Sequence, residues 1–117
     1  MEQTGSTNSP SIKTAAELGL RVEAMSDIPD LIGAAFGLDG LILHESDLGP
    51  EFYRLSSGLA GELFQKFVNY RVPLCLVLPD FAAHGERFAQ LAFEHSRHPG
   101  VRFVHTEEEA RRWLLSV

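Results

Sequence analysis

Cysteine is nearly missing from this chain: of 117 residues only Cys75 carries a thiol, so no intrachain disulfide can form and nothing points to an oxidising compartment. Long apolar runs are missing too. None approaches the ~18–20 residues that a bilayer crossing needs. The opening stretch Met1–Ser11 (MEQTGSTNSPS) has neither the basic start nor the apolar segment of a secretory signal. These absences together predict a cytoplasmic chain that has no membrane partner. Basic residues are the minority charge, ten Lys and Arg against sixteen Asp and Glu, for a formal net charge of −6. The ten are scattered, with Arg111-Arg112 the tightest pair. Nucleic-acid binding needs a concentrated basic surface to displace counterions from phosphates, and none is present. Glycine-rich nucleotide loops are absent as well: neither G-x-x-x-x-G-K-[ST] nor G-x-G-x-x-G occurs, and no cofactor is expected.

What the chain does have is enough apolar matter, 44% of its residues, to build one real core. Residues 1–11 read as a polar N-terminal tail and 12–117 as a single domain. Ser11–Glu17 suggests an edge strand. Leu20, Val22 and Ala24 alternate with Arg21 and Glu23, the period of a half-buried strand. Ser26 or Asp27 then caps a helix with Pro29 in its first turn and a stripe of Ile28, Leu31, Ile32, Ala35 and Phe36, stopped by Gly37 and Gly40. Leu41–His44 reads as a buried strand, and Gly49-Pro50-Glu51 as the start of one helical turn.

The clearest helix runs from about Gly58 to Tyr70. Leu59, Ala60, Leu63, Phe64 and Phe67 make its apolar stripe, and Glu62, Gln65, Lys66 and Asn69 the opposite one. Val72–Leu78 (VPLCLVL) is a central strand with Pro73 near its start. A helix over His84–Arg97 is expected to bury Phe88, Leu91 and Ala92, with Phe93 and His95 as further candidates. Val101–His105 is the last strand. Thr106 and Glu109 form a capping box ahead of a helix that buries Ala110, Trp113 and Leu114. The order is (βα)4, which requires parallel pairing with crossovers. The predicted fold is therefore α/β: a mostly parallel four- to five-stranded sheet with four helices.

Candidate chemistry centres on the turn Ser56-Ser57-Gly58. Hydroxyls there lie among free amides at the positive end of a helix, a place suited to an anion or a phosphoryl group; the competing reading is that Ser57 simply caps the helix. Ser57, Asp80 and His105 occur in the chain order of a hydrolase triad, but Leu55 and Leu59 stand where a nucleophile elbow needs glycine. His95 and His98, with Glu94 and His84, have ligand chemistry but no identifiable second element, so no metal site is expected. His44, Glu45, Ser57, Asp80 and His105 would line one crevice if the strand C-termini held a ligand. The stripe Glu62, Gln65, Lys66 and Asn69, continued by Arg71, is either plain solvent face with one i,i+4 pair or an interaction surface.

The run Ser57 to Val72 (SGLAGELFQKFVNYRV) resembles the hallmark of a bacterial family known as domain of unknown function 4180: Ser or Thr, G-L-A-G-E, two apolar residues, Q-K-F, one apolar residue, N-Y, a variable residue, V. The preceding Pro50-Glu51-Phe52-Tyr53 and the apolar strand ending at Asp80 fit as well, and the likeness spans about Leu20 to Leu115. That family carries no established activity, so the resemblance implies the fold, and it draws attention to the polar stripe because Glu62, Gln65, Lys66 and Asn69 belong to the pattern. Leu55-Ser56-Ser57-Gly58-Leu59 also resembles the D-[ST]-S-G-L turn of STAS (anti-sigma-factor antagonist) domains, with Leu55 in place of the acidic residue. In STAS domains a serine of this turn is phosphorylated by a partner kinase, which switches protein binding. The expectation is a non-enzymatic, STAS-like protein-binding or regulatory module. The alternatives are a ligand-binding domain or enzyme at the strand ends, and a homodimer that uses Phe52, Tyr53 and the helix face.

Overall fold

Uninterrupted apolar runs such as Leu41–Leu43 and Leu74–Leu78 are satisfied only where both faces of a strand are covered, and a computed structural model, which describes residues 10–117, places both at the centre of a sheet. β2 (Gly40–His44) and β3 (Leu74–Val77) lie side by side, flanked by β1 (Ile12–Thr14) and β4 (Val101–Val104). The strand order is β1-β2-β3-β4 and every pair is parallel. Parallel neighbours need crossovers, and these are α1 (Asp27–Ala35), then α2 (Pro50–Tyr53) with α3 (Leu59–Asn69), then α4 (Glu86–Glu94). α5 (Glu107–Ser116) follows β4. The described residues thus form one α/β domain with five α-helices. The fifth, beyond the four expected, is the single turn foreshadowed at Pro50.

Side chains alternate across the strands, so each strand feeds two cores. Leu41, Leu43, Leu74, Leu76, Val101 and Phe103 meet α1, α3 and α4 on one face. Ile42, Cys75 and Val77 meet Ala110, Trp113 and Leu114 of α5 on the other. The first core is stiffened by aromatic rings set edge to face: Phe52–Phe88 at 5.9 Å, Phe88–Phe103 at 5.7 Å and Phe64–Phe103 at 5.8 Å between centroids. Each such pair adds roughly 0.5–1.5 kcal/mol beyond its buried area. The second core rests on one helix, which approaches so closely that a Cβ on Gly40 would stand 2.6 Å from Leu114 Cδ2. The capping box starts α5 as expected: Glu109 N–H donates to Thr106 Oγ1 at 3.1 Å, and Thr106 N–H to Glu109 Oε1 at 3.0 Å.

Several expectations are corrected. Of the proposed strand Leu20–Ala24 only Val22 pairs, as an isolated bridge to Leu48. The reason is local, because the N–H groups of Glu23 and Ala24 donate to the Asp27 carboxylate at 2.8 and 3.0 Å and are lost to any ladder. Phe36 leaves its stripe, since the chain turns out of α1 at that residue and the ring is 68% exposed. Phe93 is exposed too. Five residues from Phe88 at about 100° per residue, it points away from the buried stripe. α4 itself stops at Glu94, short of Arg97, and β4 stops at Val104, short of His105. The expected tail lies outside the described residues except for Pro10 and Ser11. Ser11 is fastened: its N–H donates to Asp39 Oδ2 at 2.7 Å and its carbonyl accepts from Asp39 N–H at 2.8 Å. Phe52, offered as a dimer contact, is fully buried and cannot form one, whereas Tyr53 beside it is half-buried.

Candidate functional site

The serine turn sits between α2 and α3. Leu55–Ser57 form one tight turn, and Gly58 takes a left-handed φ of 79° that swings the chain into α3. Gly58 is the capping residue by position and has no side chain to cap with, so Ser57 does part of that work from one residue upstream. Its Oγ accepts from Leu59 N–H at 3.2 Å and donates to the Glu51 carbonyl at 2.8 Å, tying α2 to α3. Ser56 is exposed and its hydroxyl makes no hydrogen bond among the described residues. The two serines are therefore different groups: Ser57 is a structural tie, and Ser56 has no hydrogen-bonding duty among the described residues. Ser56 lines a crevice of about 400 Å³ together with Tyr53, Arg54, His84 and Arg87.

From this turn α3 runs along the first face of the sheet. Its apolar stripe is buried as the spacing requires. On the outward side Gln65 and Asn69 are exposed, and Lys66 Nζ lies 3.6 Å from Glu62 Oε2, a half-exposed i,i+4 pair. Such a pair is worth only ~0.3–0.5 kcal/mol, so this face is not held by the fold. At its far end the helix closes in a Schellman motif: Val72 N–H donates to Phe67 O at 3.0 Å and Arg71 N–H to Val68 O at 3.1 Å. The left-handed residue of that motif is Arg71, with φ 58°, the one non-glycine with positive φ among the described residues. Next to it Tyr70 (51% exposed) meets Phe36 edge to face at 6.3 Å, with Val68 also exposed.

The strand C-termini carry the other polar groups, and here the geometry distributes rather than converges. His44 follows the α5 face of β2, and its Nε2 is 2.8 Å from Glu107 Oε1. The next residue, Glu45, turns to the other layer and pairs with His84 Nε2 at 2.6 Å. His84 stacks on Tyr53 at 3.6 Å, and Tyr53 Oη donates to the Glu45 carbonyl at 3.0 Å. Burial, then the negative charges of Glu45 and Asp47, push the Tyr53 phenol well above its ordinary range, so it stays protonated. Hydrogen bonds from Arg111 and then His44 hold the Glu107 carboxyl below the usual carboxylate range. Asp80 accepts from Ala82 N–H at 2.9 Å, while His105 contacts the Pro79 carbonyl at 3.2 Å and stacks on Phe81 at 4.2 Å. The hydrolase order Ser57, Asp80, His105 is thus not assembled: each member is bound to a different local partner. The same holds for the five-residue crevice, where Ser57 and His44 are spoken for on different elements.

The histidines considered as metal ligands also have other duties. His98 Nδ1 accepts from the N–H groups of Gly100 and Val101 at 3.0 and 3.1 Å, and His95 Nδ1 lies 3.0 Å from the Leu91 carbonyl. His98 titrates below its ordinary value, first through burial and then through the charges of His95 and Arg102, which suits a ring that must remain an acceptor. Among the described residues no group of three His, Cys, Asp or Glu side chains could hold a metal. Cys75 is fully buried with its thiol pushed up to about 12, mainly by that burial, and is chemically quiet.

Sequence reasoning located the serine turn and the polar stripe but not the Phe36–Tyr70 pair. Gly37 directly after Phe36 was the available sign that the helix ends there. No sequence signal announced the left-handed Arg71, because that position in a Schellman motif is ordinarily glycine.

Compared with known proteins, the chain matches the family described as Domain of unknown function (DUF4180) over residues 7–114, and it belongs to that family. The match starts thirteen residues ahead of the Leu20 expected from the motif. No curated protein and no solved structure matches it.

Proposed function

We propose that this DUF4180 domain is a non-enzymatic protein-binding module, regulatory in the manner of STAS domains, that docks a protein partner on the outward face of α3. The surface consists of Glu62, Gln65, Lys66, Asn69 and Arg71, running from the serine turn to the paired rings of Phe36 and Tyr70. The observation that carries the reading is that pair: two large aromatic side chains, 68% and 51% exposed, set edge to face beside the polar groups of α3. Aromatic anchors with a polar surround are the usual makings of an interface centre. In support, the acids and bases at the strand ends are each engaged in local bonding, which leaves no complete catalytic set among the described residues. No helix of the described chain is long and apolar enough to cross a membrane.

The switch falls to Ser56. Phosphorylation would add about −1.5 to −2 charge at a hydroxyl that has no structural duty, in a crevice lined also by Arg54, which pairs with Glu51, and by His84, Glu86 and Arg87. Ser57 is the poorer acceptor because a phosphate there must give up the bond to the Glu51 carbonyl.

The test is comparative capture from cell extract, read by quantitative mass spectrometry, with wild type, Phe36→Ser/Tyr70→Ser and, as a control on the exposed side of α5, Leu115→Ser. A protein retained by wild type and Leu115→Ser but reduced about tenfold or more by the double variant supports the reading. Identical profiles for all three folded proteins contradict it. Ser56→Glu should change retention of the same protein, and Ser57→Glu should instead lower stability.

A further inference from the structure

A second feature lies at the opposite edge of the sheet from the serine turn, where β3 and β4 begin. Phe67, Val68, Val72, Pro73, Pro99 and Gly100 line a groove of about 310 Å³ whose polar members are Arg71 and His98. The volume is at the lower end of the range for small-molecule sites. Three observations bear on what would fill it. Arg71 is exposed and enters no ion pair among the described residues, although the protein is acidic overall. It also occupies, at φ 58°, a backbone position that L side chains avoid and glycine fills without strain. Finally, His98 spends its Nδ1 lone pair on two backbone N–H groups, so its neutral ring carries the proton on Nε2 and is a donor. A cation on the rim of an otherwise apolar groove, with a neutral His98 in its lining, suits an anion with an apolar body.

We propose that this groove binds a small apolar carboxylic acid as its anion, with the carboxylate on the Arg71 guanidinium and the hydrocarbon or ring against Val68, Val72 and Pro99. Retaining a strained arginine where glycine would fit is then a functional feature, since strain is kept where a side chain is needed. A cation beyond the end of α3 also gains from the helix dipole. Arg71→Lys keeps that gain while losing the planar fork that matches a carboxylate, so it separates the two explanations. The groove shares Arg71 with the docking face, but Gln65 belongs to that face alone, so variants at Gln65 separate the two sites.

The experiment is titration of the ¹⁵N-labelled protein with 3-phenylpropionate and, separately, with 3-phenylpropanol. Saturable shifts of Val68, Val72, His98 and Gly100 with the acid are expected, with the alcohol about tenfold weaker or worse. Arg71→Gly should melt at a higher temperature than wild type and bind the acid at least about tenfold more weakly. Arg71→Lys should bind with intermediate strength, and Gln65→Arg should bind as wild type does. Equal binding of acid and alcohol overturns the proposal. So does full binding by Arg71→Gly, or the absence of saturable shifts at these residues. Ligand-free shifts of the same residues that grow with protein concentration would also overturn it, by placing a second copy in the groove.

Discussion

Gly40→Ala tests the layer that rests on a single helix. Gly40 opens β2 on the face covered by α5, and an added Cβ would lie 2.6, 3.0 and 3.1 Å from Leu114 Cδ2, Cδ1 and Cγ. Ordinary carbon contacts are about 3.5–4.0 Å, so the overlap approaches 1 Å. Leu114 is 2% exposed, so its side chain must take another rotamer within the packed layer, or the helix or the strand must shift. Overpacking of this kind costs roughly 1–3 kcal/mol, and the lower unfolded-state entropy of alanine returns about 0.5–1 kcal/mol. The expected net loss is about 0–2.5 kcal/mol, read as a lower urea midpoint at unchanged slope. Trp113, on α5 itself and beneath the Arg102 guanidinium at 4.6 Å, is the fluorescent reporter. Leu114→Ala alone should cost ~2–5 kcal/mol. With both changes the clash vanishes and the new methyl partly fills the cavity, so the double variant should be at least about 1 kcal/mol more stable than the sum of the singles predicts. A neutral Gly40→Ala whose effect adds to that of Leu114→Ala would refute the close approach of α5 to β2.

Other expectations are as specific. Ser57→Ala should destabilise by about 0.5–1.5 kcal/mol, because one hydroxyl serves both Glu51 O and Leu59 N–H, whereas Ser56→Ala should stay within about 0.5 kcal/mol of wild type in the same melts. Cys75 should react with a thiol reagent at pH 8 at least about a hundredfold faster in denaturant than in buffer; comparable rates would mean that the β3 core opens readily. In acid, the carboxyls of Glu107 and Glu109, which hydrogen bonds hold below the usual range, are protonated first in the unfolded chain. Their contribution is therefore full above the ordinary glutamate pKa and lost as pH falls through the lower folded values, and Glu109→Gln should flatten the acid limb of stability against pH. His98 acts in the same sense at higher pH. Its folded pKa is depressed, so stability declines as pH drops below about 6.5, and His98→Gln should lessen that decline.

The (βα)4 order, the parallel pairing and the buried stripe of α3 were legible because each rests on a local pattern: apolar runs for covered strands, spacing of three and four for a docked helix, Thr106 and Glu109 for a start. Leu20–Ala24 misled because alternation records only which side chains can share a face. Whether a strand forms also depends on where the backbone donors go, and the Asp27 carboxylate claims two of them. The polar stripe was found, yet its aromatic neighbour was not, since Phe36 satisfies the helical period and leaves the core only because the chain turns out of α1 at that residue. The histidines read in sequence as ligands or bases because imidazole chemistry is versatile. Tertiary partners decide, and His44 and His84 found carboxylates while His98 found the backbone at the start of β4.

The most direct test of the docking face is chemical-shift mapping of the labelled domain with the protein partner retained in the capture experiment. The account predicts that the largest changes fall on Phe36, Glu62, Gln65, Lys66, Asn69 and Tyr70, while the exposed side of α5 around Leu115 stays still. Changes centred on α5 or on the strand ends near His44 and His105, with α3 unmoved, would contradict it.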